Sequence, residues 1–196
     1  VDLENNTFDV TEQLPFKVLR LEGRMQYRLN LPPIGYSQLM LEGGKIFGKV
    51  PYLLLKLHEG NGTYFYDRYA FSCMNFYEFS SDAWISFFYE HHFNGFLLGR
   101  VPLLKKLNWR EVFVFKGVYG TLSARNDGSL PNTKAVMLFP VGMSSVEHPY
   151  LETGFGIENI FRLLRVDCIW RLTHHRAVPG LSIPTFTVNF SLNLKF

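Results

Sequence analysis

Three groups of side chains carry enough charge or ligating character to do chemistry, and their spacing decides what chemistry that would be. Glu90-His91-His92 puts three metal-ligand types in a row. On an extended strand successive side chains point to opposite faces, so Glu90 and His92 converge while His91 turns away. Two ligands do not make a zinc site. No HExxH occurs, and His58-Glu59 lacks a second histidine. No metal or other cofactor is expected, and Glu90 and His92 are assigned to a hydrogen-bond network beside Arg110. The second group is Glu152, Glu158, Arg165, Asp167 and Arg171. Paired carboxylates can work as acid and base, but arginines interleaved among them favour structural ion pairs across neighbouring strands. The third group, Arg20, Arg24 and Arg28, places three guanidiniums on one strand face, lining a hydrated interior or facing water. Ser, His and Asp occur without a nucleophile elbow, and the chain is not expected to be an enzyme.

The elements that hold these groups are read from alternation. Leu19 to Asn30 is strict: Leu19, Leu21, Met25, Tyr27 and Leu29 oppose Arg20, Glu22, Arg24, Gln26, Arg28 and Asn30. A turn at Pro32-Pro33-Ile34-Gly35 leads to a second strand, Tyr36 to Gly48, where Gly43-Gly44 suggests a bend or bulge. Further strands are expected from Ala83, over Trp109 to Gly120, over Tyr150 to Glu158 and over Leu164 to Leu172. The last stretch, Thr185 to Phe196, has Phe186, Val188, Phe190, Leu192, Leu194 and Phe196 on one face and only polar residues on the other. Residues 1–14 read as a polar loop. Residues 49–82 are aromatic-rich and alternate poorly, so they are expected either to fold inward or to form an extracellular loop, with one additional strand possible at Phe71 to Phe79. Residues 121–149, with three prolines, are expected to be an extracellular loop.

Composition restricts the class. The chain has 196 residues, 47% hydrophobic and 16% aromatic, with 19 Phe and 10 Tyr. No apolar run reaches the roughly 18 residues of a membrane helix, and mean hydropathy is +0.00, the average an alternating barrel wall should give. A formal charge of +3 gives no reason to expect a nucleic-acid partner. Cys73 and Cys168 match no metal spacing, and nothing demands a disulfide. The chain starts at Val1 with no visible signal peptide, and it is read as the C-terminal part of a longer polypeptide. Counting back from Phe196, connections alternate between long and short, as extracellular loops and periplasmic turns do. A soluble sandwich would expose polar outer faces. Here the apolar faces are rich in Phe, Trp and Leu and the polar faces carry opposed charges, so an all-β transmembrane antiparallel barrel is preferred, with all three charge groups facing its lumen.

Three runs carry a family resemblance: HEGNGTYFYDRYAFSCMNFYEF (His58 to Phe79), EHHFNGFLLGRVPLLKKLNWREV (Glu90 to Val112) and GIENIFRLLRVDCIWRL (Gly156 to Leu172). They resemble a family of Bacteroidetes outer-membrane proteins in which a carboxypeptidase-like regulatory domain precedes a large barrel. Those barrels are distantly similar to the sixteen-stranded surface-antigen barrels of the BamA/TamA superfamily. The resemblance implies that residues 1–196 are the C-terminal half of such a barrel, contributing seven or eight strands, with 49–82 in place of an inward-folded loop. That loop normally carries an Arg-Gly-aromatic motif; here Arg68 is followed by Tyr69-Ala70. It further implies a non-catalytic role in the bacterial outer membrane, assisting assembly or export of envelope components. The alternatives are a passive or partner-gated channel and a structural subunit of a larger complex. Expected partners are outer-membrane lipid, the assembly machinery and other envelope proteins. Phe186, Phe190 and Phe196 are expected to be the assembly signal on the terminal strand.

Overall fold

A computed structural model describes residues 17–129, 134–175 and 182–192, apart from the side chain of Leu103. Phe196, residues 1–14 and parts of the 121–149 and 174–182 connections therefore lie outside the described residues.

Strict alternation yields long strands. In chain order they are β1 (Leu19–Asn30), β2 (Tyr36–Phe47), β3 (Lys56–Leu57), β4 (Phe79–Ser81), β5 (Ala83–His92), β6 (Arg110–Thr121), β7 (Ser144–Ser145), β8 (Tyr150–Ile160), β9 (Leu164–Arg171) and β10 (Phe186–Leu192). Seven of them form one sheet in the order β1-β2-β5-β6-β8-β9-β10, every neighbour antiparallel. The order follows the chain, so each strand pairs with the next long strand. The sheet is open, with β1 and β10 at its edges. The eighth strand expected at Phe71 to Phe79 does not form: only Phe79–Ser81 is extended, and it belongs to a small second sheet ordered β3-β4-β7. Val146 and Met143, both buried, anchor β7 there, so residues 143–146 of the long 121–149 connection tuck into the core.

Of the bend or bulge expected at Gly43-Gly44, the bulge is absent, since β2 pairs with β1 and β5 through both glycines without a shift. Close packing explains the glycine instead: a Cβ on Gly44 would sit 2.6 Å from the Trp84 ring. The irregular pairing lies between β8 and β9, at Ile157 to Ile160. Between β5 and β6, Pro102 opens the single-turn helix α1 (Pro102–Lys105), where its missing N–H costs nothing.

The two faces of the large sheet differ in kind. Leu21, Met25, Ile85, Tyr119, Phe155, Trp170, Phe186 and Leu192 stand exposed on one face, at 44–62% of their surface. Aromatic contacts run across its middle strands, Phe87 to Phe115 and Phe113 to Phe155. The opposite face is covered by residues 49–82. Its core is Met40, Phe71, Met74, Phe79, Phe88, Val118, Val146 and Tyr150, with a second cluster of Ile46, Val50, Leu55 and Trp84. β1 is the exception. All twelve of its residues are exposed, although Lys56 of the cover comes within 3.9 Å of Glu22.

Candidate functional site

The covered face buries charge, and the covering segment supplies the partners. Glu90, Lys116, Glu152, Arg165, Asp167 and Arg171 are each at most 3% exposed. An unpaired buried charge costs several kcal/mol, so each must find compensating groups. At one level of the sheet Glu90 is the hub. It accepts from the Tyr66 hydroxyl, from Arg68 Nε at 2.8 Å and from Arg165 Nη2 at 3.3 Å. Arg165 also grips Asp167 two residues along β9, with its Nη2 and Nε both 2.8 Å from carboxylate oxygens. Gly156, facing Asp167 from β8, leaves the space this carboxylate fills; a Cβ there would collide with Asp167 Oδ1.

A second level fixes the middle of the cover. Glu152 accepts the backbone N–H of Ser72 at 2.8 Å and of Cys73 at 2.6 Å, and the Tyr150 hydroxyl at 2.6 Å. Lys116 Nζ donates to the carbonyls of Asp67 and Ala70, at 2.8 and 2.6 Å. Arg171 donates to Glu78 at 2.5 Å and to the Cys73 carbonyl at 3.1 Å. Four wall strands therefore bind residues 66–78 by charge-assisted bonds, the stronger class of hydrogen bond. At the β1 side, Glu42 collects Arg24 and Lys56, each at 2.5 Å. Burial raises the Tyr66 hydroxyl well above its usual pKa, reinforced by the Glu90 charge. Burial likewise pushes the Cys73 thiol up to about 12, with Glu152 adding to it. Both cysteines are free.

The charges singled out in the sequence all point to the side of the sheet that bears the cover, those of β1 remaining exposed there, but their partners differ from expectation. The arginines on Glu90 are Arg68 and Arg165 rather than Arg110. Arg110 lines a cavity at the end of the sheet. His92 bonds Glu158 through Nδ1 at 3.1 Å. Glu152 and Arg171 are register partners across β8 and β9, yet both turn to the cover, Glu152 to Ser72 and Cys73 and Arg171 to Glu78. Of the β1 arginines only Arg24 reaches the wall network; Arg20 pairs with Glu22, and Arg28 lies over the Tyr36 ring. Phe186 and Phe190 stand on the exposed face, and Phe196 lies outside the described residues. Among the described residues no three His, Cys, Asp or Glu gather as a metal site.

Sequence reasoning missed Tyr66, Arg68, Glu78 and Lys116 as members of this network. The available signal was the charge density of 67–78 within an otherwise aromatic segment. A segment that cannot alternate yet carries buried-type aromatics and isolated charges has to satisfy those charges against something else. No curated protein matches the chain. Residues 11–124 match the family described as "Family of unknown function (DUF5686) C-terminal domain", and the chain belongs to that family.

Proposed function

We propose that the seven-stranded sheet is the C-terminal wall of a transmembrane β-barrel in a bacterial outer membrane, of the surface-antigen, BamA/TamA-like type. One observation carries the reading: the uncovered face is apolar across all seven strands, while the charged side chains of the wall lie on the covered face beside its core. A soluble monomer rarely exposes so wide an apolar surface, and a barrel wall turned to lipid requires one. Dimensions agree. The twelve residues of β1 span ~40 Å at about 3.3 Å each, and a tilt of about 45° leaves ~28 Å along the membrane normal, close to the ~30 Å of a bilayer core. Strands supplied outside this chain would close the barrel beyond β1 and β10, to sixteen in the family the sequence resembles.

Within that barrel, residues 49–82 are an inward plug. We assign it a non-catalytic role in assembling or exporting envelope components, since the buried carboxylates serve as acceptors for the plug rather than standing open to a substrate. A passive channel is the weaker reading, because the plug occupies the face that a conduit would leave wet.

Two single-tryptophan variants test the membrane reading, each with the other two tryptophans replaced by Phe, in vesicles of brominated phosphatidylcholine. Trp170, on the exposed face, should be strongly quenched, and Trp84, under the cover, should not. Equal quenching of both, or a protein that stays in the aqueous phase without detergent, would sink the reading.

A further inference from the structure

At the end of the sheet that carries the short β1–β2 and β8–β9 turns lies a cavity of about 690 Å³, within the roughly 300–1,000 Å³ of small-molecule sites. Five arginines line it: Arg28, Arg68, Arg110, Arg162 and Arg165. Two are committed, Arg68 to Glu90 and Arg165 to Glu90 and Asp167. The other three make no side-chain hydrogen bond or ion pair among the described residues. Arg28 rests its guanidinium 4.0 Å from the centre of the Tyr36 ring, which stacks on His92 at 4.4 Å, so its fork is propped over a rigid aromatic floor. Glu158, the one carboxylate in the lining among the described residues, is held by His92 and stands opposite Arg110 in the β6–β8 register without bonding it.

Charge balance identifies the missing group. Five guanidiniums face three carboxylates (Glu90, Glu158 and Asp167), which leaves an excess of two positive charges around one hollow. Guanidinium forks match phosphate oxygens in bidentate geometry, and a phosphomonoester carries −1.5 to −2 at neutral pH. A lone carboxylate would leave one guanidinium uncompensated. The hollow opens beside a second one, lined by Lys105 together with Leu104, Trp109 and Leu163, so an apolar surface adjoins the cationic one.

We propose that this cavity binds a phosphoryl group, carried by a soluble phosphate compound or by a lipid headgroup, with Arg28, Arg110 and Arg162 as its ligands. The inference does not depend on what the outer face of the sheet contacts. The test uses the intact protein in dodecyl maltoside with two probes: pyrophosphate, followed by calorimetry, and phosphatidic acid in mixed micelles, with phosphatidylcholine for comparison. Saturable binding of pyrophosphate identifies a soluble ligand, and selective retention of phosphatidic acid alone identifies a headgroup; either supports the assignment. Arg110→Gln and Arg162→Gln, which break no ion pair, should each weaken binding about tenfold or more, the loss of one charge-assisted contact. Their unchanged thermal melting would show that the fold persists. Binding of neither probe at millimolar concentration, equal affinity in both variants, or acetate and citrate binding as tightly as pyrophosphate would each overturn it.

Discussion

Replacing Glu152 with alanine removes the acceptor on which the middle of the cover depends. Three donors lose their partner at once: the N–H groups of Ser72 and Cys73 and the hydroxyl of Tyr150. An orphaned buried donor costs about 1–3 kcal/mol. Water entering the vacated space would recover part of this, so ~3–6 kcal/mol is the expected loss. Cys73 reports it directly, since its side chain is fully buried and its thiol is held neutral, with a pKa of about 12. A charged methanethiosulfonate reagent can reach it only when the cover lifts. In a Cys168→Ala background, labelling should accelerate roughly 10²- to 10⁴-fold at about 1.4 kcal/mol per decade. Glu152→Gln, which keeps one acceptor oxygen, should fall between. A labelling rate within about threefold of the parent, in a protein whose sheet is intact, would refute the claim that Glu152 fastens the cover.

Other consequences are as direct. His58 is buried against the Ser81 hydroxyl at 2.9 Å, and burial, with Lys56 adding to it, lowers its pKa to about 3. The unfolded imidazole takes its proton first, so stability falls as pH drops below ~6.5, by ~2 kcal/mol at pH 5; urea midpoints across pH 5–7.5 should show this, and His58→Gln should flatten it. Arg171→Met strands buried Glu78 and should cost ~3–5 kcal/mol, while adding Glu78→Leu should restore much of it; thermal melts of the single and double variants decide. Phe155→Arg, on the exposed face, should cost ~2–4 kcal/mol for folding into a bilayer if the residue lies near mid-depth, whereas a near-neutral result would mean that this face meets water.

Much of the wall was legible because alternation is a local property. Leu164 to Leu172 and Leu19 to Asn30 declare both strand and face without reference to any neighbour. Pairing is not local: Arg171 ends on Glu78, 93 residues away, and Glu152 on Ser72, 80 away. The expectation of ion pairs across neighbouring strands within the group Glu152, Glu158, Arg165, Asp167 and Arg171 was reasonable for an uncovered face, and the cover drew Glu152 and Arg171 to itself. Residues 49–82 defeated periodicity because they pack as a folded insert, held to the wall chiefly by side chains, with strands among the described residues only in the short β3-β4-β7 ladder. At Gly43-Gly44 the sequence could not separate a bulge from a place where the Trp84 ring needs room.

Among the described residues, backbone bonds reach the free edge of β10 at one position. Phe190 donates its N–H to the Tyr64 carbonyl at 2.7 Å and accepts the N–H of Tyr66 at 2.8 Å, in a bridge that runs parallel to β10. Asn189 adds a bond from its side chain to the Thr63 carbonyl at 3.0 Å. A strand that closed over this edge would need those same backbone groups, so the two occupants compete for them. By linkage, residues 63–66 weaken the docking of such a strand by the same coupling free energy by which the strand weakens theirs. Bonds that hold residues 63–66 on this edge thus raise the threshold for it to acquire a neighbour, and a strand docked there disfavours that one contact of the cover in return. Seam and plug would then work as the two pans of one balance, with Phe190 at its pivot.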